Sequence, residues 1–388
     1  MASMYVIVCV SSLLLALLGT TVNAANVTLS MLEHHPLAKC LDGTPAGYYF
    51  QKKASKKWVV YLNGGGECDN ENGCKQQAAT ALGSSKYFPE QVNANGWYLG
   101  SDDCNVNPDF CEWNHVYDPY CSQDLHSGQM TAPSASSWGL VFAGHHVLAA
   151  ILDEMDLQGL RNAEEIVLSG ASAGGLGMWT NLDYIADRYP HAQVRGLSIG
   201  GFYFYANFYA GPDARTWSGT STMADFREAA WPRTYALYDA YVNEACKAHY
   251  VSRGQSAGPC MLANYSSDFV RTPVFVVQSQ TDEVVMQWHD MLPDVPSLAV
   301  VLLEETAYMA RWHANMTAAL TVPSRAATVA GFFTAACWTH CDFNSKHPIV
   351  GGLNWYQAFH AYYFNVGEEH RHMDTCGEMC NPTCPPAV

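Results

Sequence analysis

Short, largely apolar runs recur along the chain at Trp58–Leu62, Glu165–Leu168, Val194–Ile199 and Pro273–Val277. Each ends in glycine, asparagine, serine or a polar pair, as strands buried on both faces of a parallel sheet do. Between them the apolar positions change period. The segment Trp138–Gly159 (WGLVFAGHHVLAAILDEMDLQG) repeats them at helical spacing and stops at a glycine, and Gly175–Tyr189 does the same before Pro190. Strands alternating with helices predict an α/β fold built on a central, mostly parallel sheet flanked by helices, in a single domain. No internal repeat or low-complexity linker divides the chain.

Composition narrows the setting. The first residues, MASMYVIVCVSSLLLALLGTTVNA, carry an apolar run from Met4 to Leu18 and small residues up to Ala24. This reads as a signal peptide over 1–24, leaving the domain at 25–388; the run is short for a membrane span of roughly 20 residues. Of the 14 cysteines, all but Cys9 follow that leader, so their odd number leaves at least one thiol free or paired between chains. Such usage fits an oxidising compartment, and sequons at Asn26, Asn264 and Asn315 fit the secretory route. The expected location is extracellular or cell wall, with no membrane anchor. A net charge of −16 argues against a nucleic-acid partner, because no basic face is available to neutralise phosphates. The tail cysteines Cys376, Cys380 and Cys384, near His370 and His372, match no standard zinc spacing and read as disulfide partners. No cofactor and no metal is expected.

The chemistry centres on Gly170-Ala171-Ser172-Ala173-Gly174, a G-x-S-x-G run between a predicted strand and a predicted helix. That order suits a nucleophile elbow, a strained turn that lifts a serine hydroxyl above the sheet. A serine needs a base to take its proton and an acid to orient the base, in chain order Ser, Asp or Glu, His. Asp282 follows the strand PVFVVQSQ at the expected edge, with Glu283 the less suitable neighbour. The base is open among His289, His313, His340, His347, His360, His370 and His372; position favours His340, at the end of GFFTAACWTH. Backbone N–H groups for an oxyanion hole are expected at Ala173 and in the loop Asn63-Gly64-Gly65-Gly66. A phosphate-binding loop is discounted there, since no Gly-Lys-Ser/Thr follows.

Taken in order, CLDGTPAGYY, YLNGGGEC, FCEWNHVYDPYCSQDLHSG, LSGASAGGLG, VFVVQSQTDEVV and FFTAACWTHC resemble the pectin acetylesterase/Notum family over Cys40 to about Cys384. The resemblance implies an α/β-hydrolase-like fold without metal. It implies Ser172 as nucleophile, Asp282 as acid and His340 as base, with Gly65, Gly66 and Ala173 supplying the oxyanion hole. It implies one of two substrates, O-acetylated pectin-like polysaccharide or a protein carrying a long acyl group on serine. The polysaccharide reading is taken first and the protein deacylase second. A catalytically silent binding protein on the same fold is a third, weaker reading. Two departures stand out: Glu67 replaces an aromatic beside the glycine loop, and Gly200–Tyr209 lacks the usual early acidic residue. A carboxylate at Glu67 disfavours a lipid tail unless it turns outward into solvent. The aromatic run Phe202–Tyr205 either lines the substrate pocket or packs in the core.

Overall fold

A computed structural model describes residues 26–93, 98–215, 223–293, 303–325, 327–344 and 346–385. The signal-peptide reading at 1–24 lies outside the described residues. Ten strands form one sheet: β1 Asn26–Met31, β2 Gly47–Gln51, β3 Lys57–Leu62, β4 Gln91–Asn93, β5 Asn114–Asp118, β6 Glu165–Ala171, β7 Gln193–Ile199, β8 Val274–Thr281, β9 Val329–Trp338 and β10 Arg371–Met373. Their order is β10-β9-β8-β7-β6-β3-β5-β2-β1-β4. Pairing is parallel from β10 through β5 and antiparallel from β5 out to β4. The α/β expectation holds, with an antiparallel edge added. Those edge strands escaped the sequence reading because β1 and β4 are short and largely exposed, so they carry no apolar run.

The apolar runs are continuous because both faces of the sheet are covered. Val60, Leu62, Ile166 and Leu168 join the core beneath helix Ala173–Arg188. Their neighbours Val59, Tyr61 and Val167 point to the other face, where Phe110, Trp355 and Phe359 pack on Phe275 and Phe333. Successive side chains of a strand alternate in this way by geometry.

Element boundaries moved where glycine geometry intervened. Helix Gly144–Gln158 starts later than the periodicity from Trp138 suggested, because Trp138 and Gly139 have φ of 58° and 81° and cannot extend a helix. It ends as expected at Gly159, with φ 116°. The turn expected over Gly170–Gly174 is tighter than predicted: β6 runs through Ala171 and the next helix begins at Ala173, so Ser172 alone makes the corner.

Six disulfides brace the chain, namely Cys40–Cys121, Cys68–Cys74, Cys104–Cys111, Cys246–Cys260, Cys337–Cys384 and Cys376–Cys380. Cys341, which is buried, stands outside these six disulfides. The tail cysteines are disulfide-bonded, as expected. Among the described residues no helix is long and apolar enough to cross a membrane.

Candidate active site

The carboxyl ends of parallel strands meet at one edge of an open α/β sheet, which is where such folds place ligands. Here β3 delivers the glycine loop, β6 delivers Ser172, β8 delivers Asp282, and β9 ends two residues before His340. Ser172 has φ 55° and ψ −124°, a strained state for a residue with a side chain. Its glycines are there for want of space. A Cβ on Gly170 would lie 2.1 Å from the carbonyl oxygen of Gly174, and one on Gly174 would lie 2.0 Å from that of Leu62. The G-x-S-x-G run is therefore a packing requirement of the corner.

Of the candidate histidines, His340 is the one that the described residues place against both Ser172 and Asp282. Its Nε2 lies 2.8 Å from Ser172 Oγ, and its Nδ1 lies 2.9 and 2.8 Å from the two oxygens of Asp282. Both Asp282 and His340 are buried. Asp282 is oriented by two further donors: the Val285 N–H at 3.1 Å to Oδ1 and Gln278 Nε2 at 3.0 Å to Oδ2. The neighbouring Glu283 carboxyl accepts from the His340 backbone N–H.

Gln278 went unnoticed in the sequence, although a signal existed. It is an amide in a strand buried on both faces, and such groups need partners. Its other end accepts the Phe202 N–H at 2.9 Å, tying the acid to the aromatic run. That run packs inward: Phe202, Tyr203 and Phe204 are buried, and the Tyr203 ring stacks on His340 with centroids 6.4 Å apart. Core packing and proximity to the site are thus both true of it.

The glycine loop lies against the nucleophile, since a Cβ on Gly64 would come within 2.8 Å of Ser172 Cβ. Gly65 and Gly66 have φ of 152° and 72°. Among the described residues the N–H groups of Gly65, Gly66 and Ala173 donate to no protein acceptor. Helix Ala173–Arg188 also directs its N-terminal partial positive charge at this point.

Glu67 does not turn outward. It is buried, accepts the Ala224 N–H at 3.1 Å, and stands 3.6 Å from His289 Nε2. Burial pushes its carboxyl up to about 8 and the His289 imidazole down to about 4. Both are neutral near pH 7, so their proximity is not an ion pair. Burial similarly raises Asp290 to about 8 and Glu283 to about 7, and lowers His115 and His145 to about 4.

These shifts set a stability profile. Carboxyls with raised folded values hold protons that the unfolded chain gives up, so their contribution is complete at acid pH and is lost on the way up to about 8. The lowered histidines act oppositely, but only below their ordinary value of 6.5. Between pH 6.5 and 8 these histidines no longer oppose the carboxyls, and His126, which despite burial is held above the ordinary value by its neighbour Asp118, loses its contribution in the same direction. The midpoint of thermal unfolding is expected to fall by several degrees across that window, at about 2–4 °C per kcal/mol for a large domain. Glu67→Gln is expected to shrink the fall, as calorimetry at the two pH values will show.

The sheet, with its sharp strand-to-helix corner, has the architecture of the α/β-hydrolase class. The chain belongs to the pectinacetylesterase family, whose model matches residues 20–385, and is a carboxylic ester hydrolase. Pectin acetylesterase 4 of Arabidopsis thaliana is 34% identical over 265 residues, 67% of this chain and 60% of that protein. The match therefore spans less than two thirds of the plant relative's length. Palmitoleoyl-protein carboxylesterase notum1' of Xenopus laevis is 28% identical over 376 residues, 91% of this chain and 73% of that one. Among solved structures, the Wnt deacylase Notum from Drosophila superposes with a TM-score of 0.79 at 24% identity, covering 93% of this chain and all of the other. That likeness concerns the fold.

Proposed function

We propose that the protein is a secreted serine esterase that removes O-acetyl groups from a pectin-like cell-wall polysaccharide. The observation that carries the mechanism is the unbroken relay from Asp282 through His340 to Ser172, with contacts of 2.8–2.9 Å throughout. Ser172 Oγ attacks the ester carbonyl while His340 Nε2 takes its proton. The carbonyl oxygen gains negative charge, which the N–H groups of Gly65, Gly66 and Ala173 receive. His340 then protonates the leaving sugar oxygen, and the acyl group remains on Ser172. Water repeats the sequence and frees acetate, with Asp282 stabilising the imidazolium in each half. No cofactor or metal takes part in this scheme.

The acetyl preference draws on Glu67. A buried carboxyl group directly after the oxyanion loop is a poor neighbour for a long hydrocarbon chain. Net charge of −16 opposes binding of a polyanion, so partly methyl-esterified pectin, or an acidic wall that protonates carboxylates, is the favoured setting. Secretion draws support from the six disulfides and from the leader-like residues 1–24.

The second reading, a deacylase for long-chain acyl serine in proteins, is favoured by the alignment with the notum1' carboxylesterase over 91% of this chain. Turnover of p-nitrophenyl esters from acetate to palmitate separates the two. Acetate is expected to be cleaved at least about tenfold faster than octanoate, a difference that a few misfitting methylenes can produce. A rate that climbs with chain length would replace the polysaccharide by an acylated protein and leave the relay in place.

A further inference from the structure

The segment Tyr120–Gly128 (YCSQDLHSG) supplies no group to the reaction, yet it lies wholly buried beneath the glycine loop. Its backbone is unusually strained. Tyr120, Gln123, Leu125 and His126 have φ of 60°, 55°, 60° and 54°, in the left-handed region that residues with side chains avoid. Such clustering persists only where surroundings enforce it, and it tends to accompany function.

What the strain achieves is visible in the side chains. Tyr120 donates its hydroxyl to the Gly66 carbonyl at 2.9 Å, Gln123 Nε2 donates to the Gly65 carbonyl at 3.1 Å, and His126 Nε2 meets the Asn63 carbonyl at 2.9 Å. The Gln123 carbonyl in turn accepts the Cys68 N–H at 3.2 Å. Three of the loop's carbonyls are thus held from one side. In a trans peptide the C=O and the following N–H point in opposite directions. Fixing the Gly65 carbonyl therefore aims the Gly66 N–H, and fixing the planes on either side confines the Gly65 N–H between them. Asn181 ties this cradle to the helix that follows Ser172, donating Nδ2 to the His126 carbonyl at 3.0 Å. Gln123 is held at a cost, since its Oε1 is buried without a partner. A leucine of similar size would avoid that cost but would leave the Gly65 carbonyl unheld.

We propose that Gln123, assisted by Tyr120 and His126, is a positioning residue that presets the oxyanion donors Gly65 and Gly66 before substrate arrives. The inference rests on the esterase reading above. A preset donor acts on the charge that develops in the transition state, and hardly on the ground-state ester. Gln123→Leu is therefore expected to lower kcat for p-nitrophenyl acetate by about 10- to 100-fold, somewhat less than outright removal of a donor. KM should stay within about twofold, and the pH profile of kcat/KM should keep its shape because His340 and Asp282 are untouched. Rates are expressed per serine titrated by a phosphonate, so that unfolded protein does not count. Tyr120→Phe, which deletes one hydroxyl and keeps the ring, serves as the second variant with the same expected split. Wild-type kcat per titrated site in both variants overturns the proposal and leaves the esterase reading standing. A wild-type protein no faster than Ser172→Ala overturns the esterase reading, and the proposal falls with it.

Discussion

Ser172→Ala is expected to reduce kcat for short p-nitrophenyl esters by about 10⁴- to 10⁶-fold with the fold intact. The size follows from what the hydroxyl does. In the proposed mechanism it is the atom that forms the acyl bond, and it stands 2.8 Å from the His340 nitrogen that would activate it. Alanine leaves the imidazole with nothing to deprotonate except water. The residual rate should come from the N–H groups of Gly65, Gly66 and Ala173, which still face the carbonyl oxygen. His340→Ala is expected to cost a similar factor. The double variant should be scarcely worse than either alone, because the two groups act as one unit. Measuring kcat for the single and double variants tests this. Losses that multiply would mean that serine and histidine work independently, against the relay. Melting temperatures should barely differ between Ser172→Ala and wild type, as alanine inherits the same strained φ of 55°.

The corner at Ser172 was legible in the sequence because local packing dictates it. The Gly170 and Gly174 positions have no room for a side chain, and that constraint appears directly as residue type. Asp282 stands out as the candidate acid for a related reason: it follows a long buried strand, where a charged residue has few structural uses. The histidine was not fixed by local pattern. His340 reaches Ser172 across 168 positions, through the pairing of β8 with β9, which no short stretch encodes. Family resemblance supplied what periodicity could not.

Glu67 marks the limit from the other side. Its place beside the glycine loop was read correctly, but its direction was left open between pocket and solvent. The backbone group that holds it, the Ala224 N–H, lies 157 positions away, so burial was invisible locally. The cradle under the glycine loop is a similar case. Tyr120, Gln123 and His126 were noticed only as part of a family run, since left-handed backbone at non-glycine residues leaves no trace in composition. Gln278, by contrast, could have been found, because an amide inside a doubly covered strand asks for a partner.

The second large effect is expected at the acid. Asp282→Asn should lower kcat by about 10⁴-fold while preserving shape and charge-independent packing. Three donors converge on the Asp282 carboxylate: the Val285 N–H, the Gln278 amide and His340 Nδ1. A carboxylate accepts all three. An asparagine offers one oxygen and one NH₂ group, so at least one donor must face another donor. The imidazole is the partner that can yield, by moving its proton from Nδ1 to Nε2. That tautomer presents an N–H to Ser172 and can no longer take the hydroxyl proton. The loss should therefore appear in kcat and kcat/KM together, with little change in KM. Glu283→Gln, one residue along, is expected to stay within a few-fold of wild type, since the Glu283 carboxyl accepts the His340 backbone N–H, a bond that the glutamine oxygen can keep. An Asp282→Asn protein that keeps the wild-type rate would remove Asp282 from the relay and leave the imidazole needing a different anchor.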